Sequence, residues 1–136
     1  MSAAPVLDSH ALLAFFRGEA AGAKVQDLLR KAATADHPAH MSDVNYAEVK
    51  YTLLKTDGEE AWAQAADVLK SLPIEFHPTS RSLADTAADF KAKFKMSLAD
   101  AFAAALAREK KAELVTGDPE FKALEKEIKI SWLTAR

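Results

Sequence analysis

The sequence predicts an α/β fold in which helices cover both faces of a parallel sheet. Short apolar runs of strand length, bounded by turn residues, alternate along the chain with segments whose apolar residues recur at helical spacing. Such alternation favours right-handed crossovers and parallel strand pairing. Strands are predicted near residues 4–7, 39–41, 74–76, 112–116 and 128–133.

Length and composition predict one domain over residues 1–136. The chain has 49% hydrophobic and 28% charged residues, and its length suffices to close a core without disulfides or structural metals. It has no cysteine, which excludes disulfides, thiolate metal ligands and cysteine nucleophiles. No segment approaches a membrane span, and the start MSAAPVLDSH lacks the features of a signal peptide, so we expect a cytoplasmic protein with no membrane contact.

The first and fourth predicted strands are each followed by an acid that opens a helix. Asp8 comes directly after residues 5–7, and Asp118 follows residues 114–117 with Pro119 at the first helical position. Helix capping is the ordinary interpretation of each acid. Because parallel strands end on the same edge of a sheet, we also expect Asp8 and Asp118 to share that edge.

A third acid, Glu48, lies in the predicted helix at residues 43–54. Helical spacing predicts a buried stripe made of Val44, Ala47, Tyr51 and Leu54. Glu48 is one turn from two members of this stripe, so we expect it within the stripe or at its border. The alternative is a solvated side chain at the edge of the helix.

A fourth acid, Asp100, stands in the segment SLADAFAAALA at residues 97–107. Ser97 and Asp100 match a capping box, which accounts for one acid in a first turn. The rest of the segment is apolar on nearly every side, which predicts a buried helix. Since an unpaired buried carboxylate is very costly, Asp100 is expected to face a rim or pocket where it is paired, neutralised or bound to a cation.

The four acids together point to a metal. Carboxylates brought together repel and raise one another's pKa unless a divalent cation compensates their charge. Oxygen ligands without Cys or paired His select Mg²⁺ or Mn²⁺. We interpret His37, His40 and His77, which lie in proline-containing segments, as surface loop residues rather than ligands.

A basic stretch precedes the Asp100 helix. It contains Lys91, Lys93 and Lys95, while the formal net charge of the chain is −2. The overall charge argues against a protein that coats nucleic acid non-specifically, but these lysines could hold an RNA backbone locally. The alternative is a solvated helix end whose lysines complement the helix dipole.

Four short stretches carry the acids: VLDS at residues 6–9, NYAEV at 45–49, MSLADAF at 96–102 and LVTGDPEF at 114–121. In this order and at these distances they resemble the PIN-domain nucleases, most closely the VapC-type toxin component of VapBC toxin–antitoxin pairs. The resemblance implies a three-layer α/β/α sandwich with a central five-stranded parallel sheet. It also implies a Mg²⁺- or Mn²⁺-dependent endoribonuclease whose partners are an RNA substrate, a cognate antitoxin protein and a second copy of the chain.

The same resemblance assigns roles to residues. It places the catalytic positions at Asp8, Glu48, Asp100 and Asp118, and among these we expect Asp8, Asp100 and Asp118 to hold the metal. It makes Ser9, Thr116 and Glu120 auxiliary. His10 departs from the family pattern, in which a smaller residue is frequent there. Two rival hypotheses are a PIN-like module that binds RNA or a partner without turnover, and a helical interaction protein whose acids are only caps.

Overall fold

The computed structural model describes residues 4–133 and contains an all-parallel five-stranded sheet. The strands are β1 (Val6–Leu7), β2 (Ala39–Ser42), β3 (Ile74–His77), β4 (Leu114–Thr116) and β5 (Ile130–Trp132), and their order in the sheet is β3-β2-β1-β4-β5. Each predicted run coincides with one strand, although β2 and β3 extend one residue beyond it. The predicted parallel α/β architecture is therefore confirmed.

Helices connect the strands, and side-chain caps fix where most of them begin. The helices are α1 (Ser9–Phe16), α2 (Ala20–Ala35), α3 (Asp43–Thr56), α4 (Glu59–Leu69), α5 (Arg81–Lys93), α6 (Leu98–Lys110) and a 3-10 helix (Pro119–Leu124). Ser or Asp side-chain oxygens accept a backbone N–H at the starts of α1, α3, α5, α6 and the 3-10 helix. Among the helices of residues 4–133, none combines the length and apolar character that a membrane span requires.

Two hydrophobic cores lie on opposite faces of the sheet. Successive strand residues point to opposite faces, so the neighbours Val6 and Leu7 of β1 enter different cores. Val6 packs with residues of α5, α6 and the 3-10 helix, whereas Leu7 packs with residues of α1, α2 and α3. Leu114 and Val115 of β4 divide in the same way. The molecule is thus the three-layer sandwich that the resemblance implied.

Helix α6 has almost no solvent face. Residues 101–107 are all buried, and five of the seven are alanines, so the helix axis lies close to its neighbours. This confirms the burial predicted from the apolar segment. Asp100, in the first turn, is only partly buried and stands where the helix emerges from the core.

The predicted buried stripe of α3 is wrong. The residues that α3 buries are Asn45, Val49 and Leu53, whereas Ala47 is exposed and the exposed fraction of Tyr51 is 57%. The helix is rotated because its inward face carries a polar residue, Asn45, which an apolar pattern cannot reveal. Glu48 is partly buried at the border of the true stripe.

The interpretation of His40 and His77 as loop residues is also wrong. His40 is the second residue of β2 and His77 is the last residue of β3, and both are partly buried. The neighbouring prolines, Pro38 and Pro78, lie just outside the strands, where they do not remove a ladder hydrogen bond. His37 is exposed before β2, as expected.

Candidate metal centre

Asp8 joins the end of β1 to the end of β4. It is the N-cap of α1, where its Oδ1 accepts a hydrogen bond from the Ala11 N–H at 2.8 Å. Its Oδ2 accepts from the Thr116 hydroxyl at 2.5 Å, and the side chain is almost fully buried. Both carboxylate oxygens are therefore held in fixed directions.

Thr116 also connects to Asp118. Its hydroxyl accepts the Asp118 N–H at 3.0 Å while donating to Asp8. Asp118 in turn caps the 3-10 helix through Oδ1, which accepts the Glu120 N–H at 2.9 Å. One buried hydroxyl thus sets the relative positions of the two acids, which share an edge of the sheet as expected.

Asp100 completes the cluster from the other side. Ser97 caps α6, and its hydroxyl accepts the Asp100 N–H at 3.1 Å. Carboxylate oxygens of Asp100, Asp118 and Glu120 all lie within 4.8 Å of one another. Glu120, expected only as an auxiliary acid, therefore groups with Asp100 and Asp118, whereas Asp8 and Glu48 are outside this group of three.

The pKa values show how strongly the acids are coupled. Burial raises the pKa of Asp8 to about 7, against the lowering effect of its hydrogen bonds from Thr116 and Ala11, and the charges of Asp100 and Asp118 add to the rise. Burial, together with the charges of Asp118 and Glu48, raises the pKa of Asp100 to about 6, while hydrogen bonds with Ser97 lower it. The four acids form one electrostatic site.

This donor set fits a hard divalent cation. The cluster supplies carboxylate oxygens. Burial first, and then the charges of neighbouring acids, raise the pKa of Asp8 and of Asp100, and a bound cation would compensate the negative charge of the ionised groups. Mg²⁺ and Mn²⁺ favour oxygen ligands, and Mg²⁺ retains water on few protein groups. The residues present therefore suit Mg²⁺ or Mn²⁺.

Asn45 organises the site, and sequence reasoning did not single it out. Its buried amide donates to the Ser9 hydroxyl at 3.0 Å and to the Ala99 carbonyl at 3.1 Å, and its Oδ1 accepts from Ser42. These bonds connect α3, which carries Asn45, to α1 and to α6. The contact with α6 is at Ala99, the residue before Asp100. The signal was the spacing of Ser42 and Asn45 directly after a strand, which matches a helix cap.

The lysines before α6 differ in their surroundings. Lys91 donates to the Met96 carbonyl at 2.9 Å and so braces the loop between α5 and α6. Lys93 is exposed at the end of α5, and Lys95 is exposed on that loop. Only these two present their charges freely beside the segment that leads into Asp100.

His10 lies at the rim of the acidic cluster. Its side chain is exposed, and a Cβ added to Gly117 would come within 2.6 Å of the His10 ring. Gly117 stands between Thr116 and Asp118, so its missing side chain leaves room for an imidazole beside the acids.

The chain was compared with family models and with curated protein sequences. A family model described as the PIN domain matches residues 6–127. No curated protein sequence matches the chain significantly.

Several solved structures share the fold. A DNA-bound VapBC from Salmonella typhimurium superposes with a TM-score of 0.75 at 15% identity, covering 98% of this chain and 100% of that one. VapBC2 from Rickettsia felis, bound to a promoter fragment, has a TM-score of 0.72 at 18% identity, with 93% and 96% covered. VapC20 from Mycobacterium tuberculosis, described as a sarcin-ricin loop cleaving toxin, has a TM-score of 0.65 at 20% identity, with 88% and 93% covered.

Proposed function

The chain belongs to the PIN domain family, and from this membership we propose that it is a metal-dependent endoribonuclease, the toxin of a toxin–antitoxin pair. The observation that carries the proposal is the convergence of Asp8, Glu48, Asp100 and Asp118, which come from four separate elements, into one electrostatically coupled site. Helix capping alone does not require these acids to meet.

Within this proposal Asp8, Asp100 and Asp118 hold Mg²⁺ or Mn²⁺, and Glu120 supports Asp100 and Asp118, with which it forms a group. A divalent ion bound there lowers the pKa of a water and acts as a Lewis acid toward the phosphoryl group. Thr116 and the Ala11 N–H keep the Asp8 carboxylate oriented, so it does not reorganise when the ion or the RNA binds.

Glu48 is the proposed proton acceptor. It faces Asp100 from α3 closely enough to raise the pKa of that acid, and it is partly buried at the edge of the site. A carboxylate in this position can take the proton of the attacking water. Lys93 and Lys95, exposed before α6, are the proposed contacts to RNA phosphates, with Lys91 bracing their loop.

The proposed partners are an antitoxin protein and a second copy of the chain. The structures from Salmonella typhimurium and Rickettsia felis are VapBC structures, which supports an antitoxin partner. VapC20 is described as cleaving the sarcin-ricin loop, which supports an RNA substrate of some kind. On α3, Tyr51 is 57% exposed beside the exposed Ala47, which supports a protein contact on that helix.

RNA cleavage by the purified protein tests the proposal. We expect cleavage with Mg²⁺ or Mn²⁺, arrest by EDTA, and a loss of about 100-fold or more in Asp100→Asn and Asp118→Asn, because several kcal/mol of transition-state stabilisation depend on the metal site. Asp85→Asn, which neutralises an exposed acid on α5, is the matched control and should cleave normally. Undiminished cleavage by both site variants rejects the assignment. Growth arrest that persists in Asp100→Asn cells without RNA cleavage favours a non-catalytic PIN-like binding module.

A further inference from the structure

A second cluster of metal-binding side chains lies away from the acids, on β2 and the edge strand β3. His40 is in register with Glu75, and His77 is in register with Ser42, two residues further along. His40 is also in register with Val6, which enters the core beneath α5 and α6, so the cluster lies on that face of the sheet. One ligand atom from each of His40, Glu75 and His77 lies within 4.8 Å of the other two.

The two imidazoles already face each other through their nitrogens. His40 Nδ1 and His77 Nε2 are 2.9 Å apart, and Glu75 Oε1 is 3.9 Å from His40 Nδ1. Two nitrogens bound to one ion at about 2.1 Å lie about 3.0 to 3.4 Å apart, depending on the coordination geometry. An ion can therefore replace the hydrogen bond if the rings separate by a few tenths of an ångström.

The hydrogen bond between the two rings does not prevent ligation. Burial, together with the charges of His77 and Lys110, lowers the pKa of His40 against the opposing effect of Glu75. In the hydrogen-bonded pair one ring carries the shared proton. Moving that proton to the other nitrogen of its own ring exposes two lone pairs, with no net proton lost. The Lys110 ammonium opposes a cation here, and the Glu75 carboxylate offsets it.

We propose that His40, Glu75 and His77 form a second metal site, which binds a transition-metal ion of the Zn²⁺ class. Two imidazoles and one carboxylate suit Zn²⁺, Ni²⁺ or Cu²⁺, whereas the acidic cluster suits Mg²⁺. The two groups of side chains have no residue in common, and the two ligands on β3 are two strands from β1, or about 10 Å from the strand that leads to Asp8. The proposal does not depend on the nuclease function.

The ion would connect the edge strand to the strand beside it. β3 has a neighbour on one side only, and its side chains are partly buried or exposed. A bridge from His40 to the two β3 ligands would hold β3 in register, and because binding is to the folded state it would raise the melting temperature.

Calorimetric titration with ZnCl₂ tests the site in tag-free protein from which EDTA has been removed by dialysis. With excess MgCl₂ present to occupy the acidic cluster, we expect one equivalent of Zn²⁺ to bind, and the affinity to fall at least about 10-fold in His77→Gln and in Glu75→Gln. His37→Gln removes an exposed histidine outside the cluster, and Asp118→Asn changes the acidic site, so both should bind as the wild type does. Co²⁺ in place of Zn²⁺ should give a visible absorption spectrum that His77→Gln abolishes.

Other results overturn the proposal. They are no Zn²⁺ binding, binding unchanged in both His77→Gln and Glu75→Gln, or binding that is lost in Asp118→Asn but kept in His77→Gln. The last result would place the ion in the acidic cluster. If His77→Gln does not fold, Glu75→Gln decides the matter, because the Glu75 side chain is 57% exposed and its replacement is tolerated at the surface.

Discussion

Replacing Asp8 by asparagine in the metal-free protein removes a buried ionisable group and keeps its cap on α1. Asparagine caps a helix as well as aspartate does, so the hydrogen bond from the Ala11 N–H survives. The negative charge, which burial and the neighbouring acids disfavour, disappears. We therefore expect Asp8→Asn to stabilise the fold at alkaline pH while removing a proposed metal ligand.

The magnitude follows from the pKa of Asp8. Folding raises it from 3.8 to about 7, or about 3 units, and each unit corresponds to about 1.36 kcal/mol. Because the folded-state pKa is the higher one, this contribution to stability is fully present below about pH 4 and is lost as the pH rises through 7. The wild type thus loses about 4 kcal/mol that Asp8→Asn does not lose. In Asp8→Asn the Thr116 hydroxyl must reorient, which destabilises the variant by about 1 kcal/mol. The net gain in stability of Asp8→Asn over the wild type is therefore about 3 kcal/mol near pH 8.

Urea denaturation in EDTA, followed by circular dichroism, measures this gain. It should be largest near pH 8 and shrink to about zero near pH 4.5. Asp67→Asn, which changes an exposed acid on α4, should show no such dependence. Adding Mg²⁺ should stabilise the wild type and have less effect on Asp8→Asn. The reasoning is refuted if Asp8→Asn is less stable than the wild type at pH 8, or if its gain does not change with pH.

Four further substitutions test other parts of the structure by urea denaturation. Asn45→Ala should cost about 3 kcal/mol because it removes the hydrogen-bond partner of Ser42, of the Ser9 hydroxyl and of the Ala99 carbonyl, and a cost below about 1 kcal/mol would contradict its organising role. Thr116→Val should cost about 2 kcal/mol near pH 8, since it withdraws a donor from a buried carboxylate; an equal cost at pH 4.5 would contradict this. Gly22→Ala should cost about 2 kcal/mol of stability, because the added methyl group meets a backbone carbonyl of α1. In Gly117→Ala the methyl group meets the exposed His10 ring, so stability should change by less than about 0.5 kcal/mol. Equal costs for the two substitutions would contradict this packing.

The fold could be predicted because its signals are local. Five apolar runs between turn residues mark the strands, and the apolar segment at residues 101–107 marks the buried helix. Asp8 and Asp118 could be placed on one edge because parallel strands end together. These features follow from period and position alone.

The features that sequence reasoning missed depend on tertiary contacts. The orientation of α3 is set by Asn45, whose amide is satisfied by Ser9 and by the Ala99 carbonyl, both distant in sequence. The meeting of His40 and His77 depends on the register between β2 and β3. Neither the hydrogen-bond partners of a buried amide nor the register of two strands can be read from one segment by itself.

The buried middle of α6 also limits how this protein can change. A helix enclosed on all sides cannot turn about its axis without moving polar groups inward or opening voids. The direction in which the Asp100 carboxylate leaves the helix is therefore fixed. Selection for a new target should therefore leave residues 101–107 untouched and accumulate changes in the exposed segment around Lys93 and Lys95. One residue inserted within α6 would redirect Asp100 by about 100° and disable the site while leaving every acid in the chain.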